Sequence, residues 1–357
     1  GVRTNIPFLQ NVVRNASYRE GNISTAFLDE TPALFQFPPR LDRASKILYF
    51  LGSTHLEKRG ILARRAARVD PGTPPVARGE GSREMFKNLG REAFMHRIRG
   101  DGRLWLTDTT LRDAHQSLIA TRLRTRDMLP TLPWLNALPF FSLEVWGGAT
   151  FDVAYRFLKE CPWDRLERIR TACPRPLLQM LLRGSNVLGY RNQPDNMIRS
   201  FIREAYRGGV DVFRCFDALN DTDNLQVALE SVREEGGIAE GTLCYTGDVA
   251  DPSRKNYPLS YYVDLAGRLH VMGADLIAIK DMAGLLTPGA AKILVKALRE
   301  AVPVPVHLHT HDTSSMGGAT LLAASEAGID IVDAAMGPFS GLTSQPNLGS
   351  LCANLRG

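Results

Sequence analysis

Two histidines two residues apart, His309 and His311 in VPVHLHTHDT, are the side chains of this sequence best suited to hold a metal. On a strand, residues two apart point to the same side, so both imidazoles face one way, with His307 in phase but deeper. Paired neutral imidazoles suit Zn²⁺, Mn²⁺ or Fe; a buried, hydrogen-bonded histidine cluster is the competing reading. Asp113, in LWLTDTTLRDAHQS, offers a hard oxygen from the end of a first strand, or else caps a helix. Lys280 closes the apolar run DLIAIKD. An unpaired ammonium there is costly, and Asp281 beside it points the other way. Three fates fit the lysine taken alone: an ion pair, a Schiff base, or an anionic carbamate that ligates the metal. Arg183, ending LLRG, and Arg112, preceding Asp113, can grip a carboxylate with two prongs or form salt bridges. Gln116 is a less specific polar partner.

Something must bring these distant residues together. From Leu104 onward, short apolar runs alternate with amphipathic helical patterns. The runs are LWLTDTTL, FFSLEVW, PLLQMLLR, VDVFRCFD, TLCYTG, DLIAIKD, VPVHLHTHD and IDIVDAAM. Near-continuous apolar strands mark burial on both faces, as in parallel sheets. Helices are read over TFDVAYRFLKE, DNMIRSFIREAYRGG and TPGAAKILVKALREAV; in the last, Thr287 is the N-cap and Pro288 the first helical residue. Eight strand–helix repeats fit an α/β fold of the (β/α)₈ TIM-barrel type. In that fold the carboxyl ends of the strands form the active-site face. Most runs end in a polar group (Asp113, Glu144, Arg183, Asp217, Tyr245, Lys280, His309, His311), so the fold itself predicts convergence. A doubly wound open sheet is the rival, but no glycine fingerprint follows the first strand.

Ahead of the barrel the chain reads as mostly helical. Short helices are expected in NIPFLQNVV and TAFLDETPALF, and an amphipathic one in RLDRASKILYFLGSTHL with Ala44, Ile47, Leu48 and Leu51 at helical spacing. The Pro- and Gly-rich stretch Val69–Ser82 reads as a linker. One further helix, REMFKNLGREAFMHRIR, leads into the barrel.

A content of 44% hydrophobic and 23% charged residues is that of an ordinary globular chain and excludes wholesale disorder. No apolar run approaches the roughly 18 residues of a bilayer span. The net charge of +5 comes largely from scattered arginines, without a nucleic-acid-reading motif. The five cysteines form no C-x-x-C pair, which fits a reducing compartment.

The motifs DTTLRDAHQSLIATRLRT, WGGATFD, ECPW, MLLRGSN, YTGDVADPS, IKDMAGLLTP and HTHDTS together resemble the carboxyltransferase domain of the pyruvate carboxylase family, almost unbroken from Leu104 onward. NIPFLQNVV resembles the last helix of a biotin carboxylase domain. FLDETPALFQF followed by RASKILYFLG resembles the linker before that family's allosteric or tetramerisation region. The resemblance implies a division into residues 1–30 as the end of a biotin carboxylase domain, 31–100 as the linker and allosteric region, and 101–357 as the carboxyltransferase barrel. It places a proton-shuttling threonine of the family in a helical region beyond residue 357.

By the same resemblance, Asp113, Lys280, His309 and His311 are metal ligands for Zn²⁺ or Mn²⁺, with Lys280 carboxylated. Gln116 and Arg183 hold pyruvate, with Arg112 beside the reaction centre. Asp152 and Tyr190 line the pocket for carboxybiotin. The implied reaction makes oxaloacetate from pyruvate, with biotin on a carrier domain and ATP and bicarbonate used by a separate biotin carboxylase domain. A homotetramer and an acetyl-CoA effector are further implications, with no nucleic-acid or membrane partner. The expected location is the cytoplasm for a bacterial protein and the mitochondrial matrix for a eukaryotic one. A carboxyltransferase subunit of oxaloacetate decarboxylase or transcarboxylase, or a catalytically incomplete assembly fragment, are the alternatives.

Overall fold

The structure is a computed structural model that describes residues 5–37, 43–58, 72–253 and 255–356. The chain forms two compact units, Gly1–Gly72 and Thr73–Gly357. The first is helical, with α1 (Ile6–Arg14), α2 (Ala16–Arg19), α3 (Phe27–Glu30) and α4 (Arg43–Lys58). Pro7 sits in the first turn of α1, where its missing N–H costs nothing. Val12, Phe27 and Leu34 close a small apolar cluster with Phe8. The expected amphipathic helix is α4, with Ile47, Leu48 and Leu51 exposed. The side chain of Ala44 and linker residues 69–71 lie outside the described residues.

The second unit is a closed eight-stranded barrel. Its strands are β1 (Trp105–Asp108), β2 (Ser142–Gly147), β3 (Leu177–Leu182), β4 (Val212–Cys215), β5 (Ile238–Cys244), β6 (Leu276–Asp281), β7 (Val306–Thr310) and β8 (Ile331–Ala334). Neighbours are parallel throughout, and the seam from β1 to β8 pairs Trp105 with Ile331 and Asp108 with Ala334. The strands are buried almost without interruption because helices cover them outside and side chains fill them inside. Those helices follow their sequence patterns. Asp195–Arg207 buries Ile198, Ile202 and Ala205 and ends at Gly208. Pro288–Ala301 is capped by Thr287, whose side chain accepts from the Ala290 N–H. No helix among the described residues is long and apolar enough to cross a membrane.

Three details differ from the sequence reading. β5 begins at Ile238, four residues before the run TLCYTG, because Glu240 is an inward-facing charge inside the strand. Asp113 is not on β1: the strand ends at Asp108, whose Oδ1 accepts from the Thr110 N–H at 2.7 Å and turns the chain into a π-helical turn, Thr110–Ala114. The single helix expected over REMFKNLGREAFMHRIR is two, α5 (Ser82–Leu89) and α6 (Arg91–Gly100). Gly90 breaks it with φ of 75°, a conformation that favours glycine.

α5 and α6, within the residues 31–100 that the resemblance assigns to the linker region, belong to the same compact unit as the barrel strands. Phe86, Phe94, Met95 and Ile98 pack against Trp105, Phe141, Leu177, Val212, Ile238, Leu276 and Ile331, plugging the amino-terminal end of the barrel. Three aspartates clip that end. Asp211, just before β4, accepts from the Leu178 N–H of β3. Asp275, before β6, accepts from Ala239 of β5, and Asp330, before β8, from Val306 of β7. Each is held by an arginine from the helix ahead of the clipped pair: Arg170, Arg233 and Arg299 respectively. Arg83, Arg91 and Arg99, eight residues apart, reach the same three places from α5 and α6.

Candidate metal centre

At the carboxyl face of the barrel three ligand atoms converge. Asp113 Oδ2 lies 3.2 Å from His309 Nε2 and 3.3 Å from His311 Nε2, and the two nitrogens are 3.1 Å apart. These are the edges of a triangle that a cation with bonds of about 2.0–2.2 Å spans. The other nitrogen of each ring is committed. His309 Nδ1 faces Asp333 Oδ2 at 2.6 Å, and His311 Nδ1 donates to the Thr343 carbonyl at 2.6 Å. A carbonyl can only accept, so His311 carries its proton on Nδ1; His309 does so opposite a carboxylate. Both Nε2 lone pairs and an ionised carboxylate then point at one spot. Three acceptors this close repel one another, and a divalent cation among them resolves that conflict. The donor set fits the implied metal.

Lys280 is the penultimate residue of β6, in register with Cys244 of β5 and His309 of β7. Its side chain is buried, and its Nζ makes no hydrogen bond or ion pair with any described residue; the Phe216 ring lies 5.6 Å away. Burial pushes the ammonium pKa down, and the charge of Asp113 offsets this only in part. The simple ion pair, one of its three fates, is therefore not formed. Asp281 indeed points away, accepting from the N–H groups of Leu285 and Leu286 and from Thr310 Oγ1. Asp113 is held ionised: burial opposes this, but the Arg112 guanidinium, 3.3 Å away, together with the contacts to His309 and His311, outweighs it and keeps the carboxyl well below the usual range.

Arg112 is itself buried and gripped by Glu144 of β2 at 2.7 Å, with Gln116 Oε1 accepting from it one helical turn on at 3.2 Å. Arg183 follows β3. It donates to the carbonyls of Leu188 and Gly189 and lies over the Tyr190 ring, 4.6 Å from its centroid. Gly148, in the WGG motif, allows this packing: a Cβ there would sit 3.2 Å from the Arg183 guanidinium carbon and 2.8 Å from the Leu188 carbonyl. Tyr190 is 86% exposed, and Asp152 pairs with Arg156 at 2.8 Å. The structure thus gathers Arg112, Asp113, Gln116, His309 and His311, whereas Asp152 and Tyr190 are engaged with separate arginines. Two other strand-end groups have local duties. Asp217 caps its own loop through the Leu219 and Asp221 N–H groups, and Tyr245 turns into the apolar layer under the helices.

Beneath the centre lies a layer that motif reading passes over. Arg214 of β4 bridges Glu240 and Asp333 at 2.8 and 2.5 Å, all three fully buried. His307 sits between the same carboxylates, 2.7 Å from each. Burial disfavours its charged form, but Asp333 and Glu240 outweigh this and raise its pKa. With both ring nitrogens facing carboxylates, two cations balance two anions. Gln345 and Thr343, in the loop after β8, complete the surroundings. A charge at an inward position of an apolar strand, as at Arg214 and Asp333, was the available sequence signal; the loop residues had none.

The HMGL-like family model matches residues 246–343. Over its whole length the chain is 49% identical to pyruvate carboxylase of Staphylococcus aureus and 48% identical to mitochondrial pyruvate carboxylase of Mus musculus. The chain is homologous throughout to pyruvate carboxylase. It spans about a third of the length of these relatives, 32% and 31% respectively. Among solved structures, the carboxyl transferase domain of Rhizobium etli pyruvate carboxylase with pyruvate and biocytin aligns with a TM-score of 0.77 at 50% identity, over 81% of this chain and 49% of that one. A threonine-to-alanine variant of the R. etli enzyme with acetyl coenzyme A aligns over 100% of this chain and 35% of that one, with a TM-score of 0.77 at 46% identity. The barrel corresponds to the carboxyltransferase part of pyruvate carboxylase.

Proposed function

We propose that this barrel transfers a carboxyl group from carboxybiotin to pyruvate, giving oxaloacetate. Asp113, His309 and His311 would hold a divalent metal, Zn²⁺ or Mn²⁺, with a carbamate on Lys280 as the fourth ligand. When bound, the metal supplies Lewis acidity toward negative charge developing on the substrate. The observation that carries this reading is the meeting of three acceptor atoms beside a buried, unpaired lysine. It is found in a barrel 50% identical to one solved with pyruvate and biocytin. A neutral Lys280 amine adds to CO₂, forming an N–C bond and losing one proton, and so becomes an anion where an ammonium is costly.

In this reading Arg183 and Gln116 bind the pyruvate carboxylate and carbonyl. Arg112, locked by Glu144, contributes fixed positive charge near the methyl group that loses its proton. The N–CO₂ bond of carboxybiotin breaks, the pyruvate methyl proton ends on the freed ureido nitrogen, and the enolate forms a C–C bond to the released CO₂. Asp152 and Tyr190 would meet the biotin ring, Tyr190 from its exposed position at the mouth. The same similarity supports assigning residues 1–30 to the end of a biotin carboxylase domain and 31–100 to a linker and allosteric region. It also supports ATP and bicarbonate as substrates of the biotin carboxylase domain, a biotinyl carrier domain as partner, a tetramer and acetyl-CoA control. The location would be cytoplasmic in a bacterium or the mitochondrial matrix in a eukaryote.

The test is to assay the full-length protein for pyruvate-dependent oxaloacetate formation with ATP, bicarbonate and biotinylated carrier. One metal per chain and a mass increment of one carboxyl group at Lys280 are expected. No turnover, or a free lysine in the metal-loaded protein, would refute the assignment.

A further inference from the structure

We infer that Gln345 is a positioning residue for the metal centre, fixing Asp113 as a ligand from the loop that follows β8; this rests on the reading of Asp113, His309 and His311 as ligands. Gln345 is fully buried, and both ends of its amide are engaged. One end lies 2.9 Å from Asp113 Oδ2 and 3.4 Å from His311 Nε2. An ionised carboxylate can only accept, so that end is the NH₂ group. The other end, Oε1, then accepts from Thr109 Oγ1 at 2.8 Å. Thr109 is the residue that follows Asp108 at the end of β1, so the amide ties the loop to the root of the turn that carries Asp113.

The loop is itself rigidly placed. The Gly341 N–H donates to the Gln345 carbonyl, Ser344 Oγ to the Phe339 carbonyl, and the Ala335 N–H at the end of β8 to the Pro346 carbonyl. The Ser344 carbonyl accepts from the Asp312 N–H, next to His311. The Thr343 carbonyl, two residues before Gln345, is the anchor of His311. One short stretch therefore orients two of the three donor groups: His311 through a main-chain carbonyl, and Asp113 through a side-chain amide. A residue needed only to fill space would be cheaper as an apolar one, because a buried amide must find partners for every polar atom. Gln345 has found them, and one of them is a ligand. By donating to Oδ2, it selects the carboxylate rotamer that faces the two histidines and opposes rotation toward Arg112, which lies 3.3 Å from Oδ1.

The experiment uses the full-length protein and reads metal retention against a graded chelator, the visible spectrum of the Co²⁺-substituted protein, and the melting temperature of the metal-free protein. Gln345→Met removes the donor while keeping length; Thr109→Val leaves the amide but removes its anchor. Metal affinity is expected to fall ten- to a hundredfold in the first, within the range for outer partners of ligands, and less in the second. Both should alter the Co²⁺ spectrum, with the metal-free melting temperature little changed. Wild-type affinity and spectrum in both variants would overturn the role of Gln345 while leaving the centre intact. A wild-type protein that holds no metal would overturn the centre and this role together. If Gln345→Met fails to fold, Thr109→Val decides alone: an unchanged spectrum rejects the inference.

Discussion

Asp333 accepts a hydrogen bond from His309 Nδ1 at 2.6 Å, joining the metal centre to the buried charge layer below it. The carboxylate fixes which ring nitrogen carries the proton and leaves Nε2 free to ligate. Asp333→Asn keeps the shape but presents its amide nitrogen to a cluster of donors. Metal affinity is expected to drop ten- to a hundredfold, measured by chelator competition. Undiminished affinity would show that His309 does not need this partner.

Arg214 neutralises Glu240 and Asp333 in the interior. Arg214→Leu leaves two carboxylates facing His307 alone. Denaturant unfolding should reveal a loss of about 3–5 kcal/mol, the cost of breaking a buried ion pair by removing one partner. A loss below about 1 kcal/mol, the range of surface pairs, would contradict that picture.

Asp108 is buried, and its carboxyl is pushed from 3.8 up to about 6, chiefly by burial. A folded pKa above the unfolded one favours the fold below the unfolded value, and this contribution is lost as pH rises through the folded value. Asp108→Asn removes the dependence while keeping an oxygen for the Thr110 N–H. The variant should gain on the wild type between pH 4 and pH 7, by up to about 3 kcal/mol. Parallel stability–pH curves for the two proteins would disprove it.

Arg183 holds two main-chain carbonyls and stacks on Tyr190, a geometry that suits a planar fork. Arg183→Lys cannot reproduce it. The KM for pyruvate should rise on the order of tenfold or more in the full-length protein, as expected when a two-pronged carboxylate grip is lost. An unchanged KM would remove Arg183 from the substrate site.

Phe94 plugs the opposite end, between Phe86 and Phe141. Phe94→Ala should cost about 3–5 kcal/mol through the cavity left behind. Metal affinity should stay at the wild-type level, separating the barrel's support from its chemistry.

The alternation of apolar runs and helical patterns was enough to read the barrel, because burial on both faces leaves a strong mark on composition. The HxH pair and the lysine near the end of β6 were legible for a related reason: polar residues stand out at the ends of such runs. Asp113 was harder. TDTTLRD reads equally as strand or turn, and only the hydrogen bond from Thr110 to Asp108 ends the strand early. Arg214 and Asp333 looked like isolated charges, since their pairing spans β4 and β8 and exists only once the barrel closes. Gln345 had no signal at all, because a loop has no period and its amide gains meaning only from Thr109 and Asp113. The split at Gly90 was missed because one glycine within an apolar-periodic helix is ordinarily tolerated.

The aspartate clips at the amino-terminal end set a two-strand rhythm in the barrel. The same device, an aspartate ahead of an even strand seizing the odd strand before it, recurs at β3–β4, β5–β6 and β7–β8. Each clip locks an odd strand to its even successor at the base, so the barrel is fastened there in two-strand steps. The first quarter alone departs from it, with Phe141 where the aspartate would stand and Phe94 of α6 stacked upon it. That quarter is also the one bearing Arg112 and Asp113. The one strand pair fastened at its base by stacked rings and not by an aspartate is thus the pair whose mouth holds the buried Arg112–Asp113 contact.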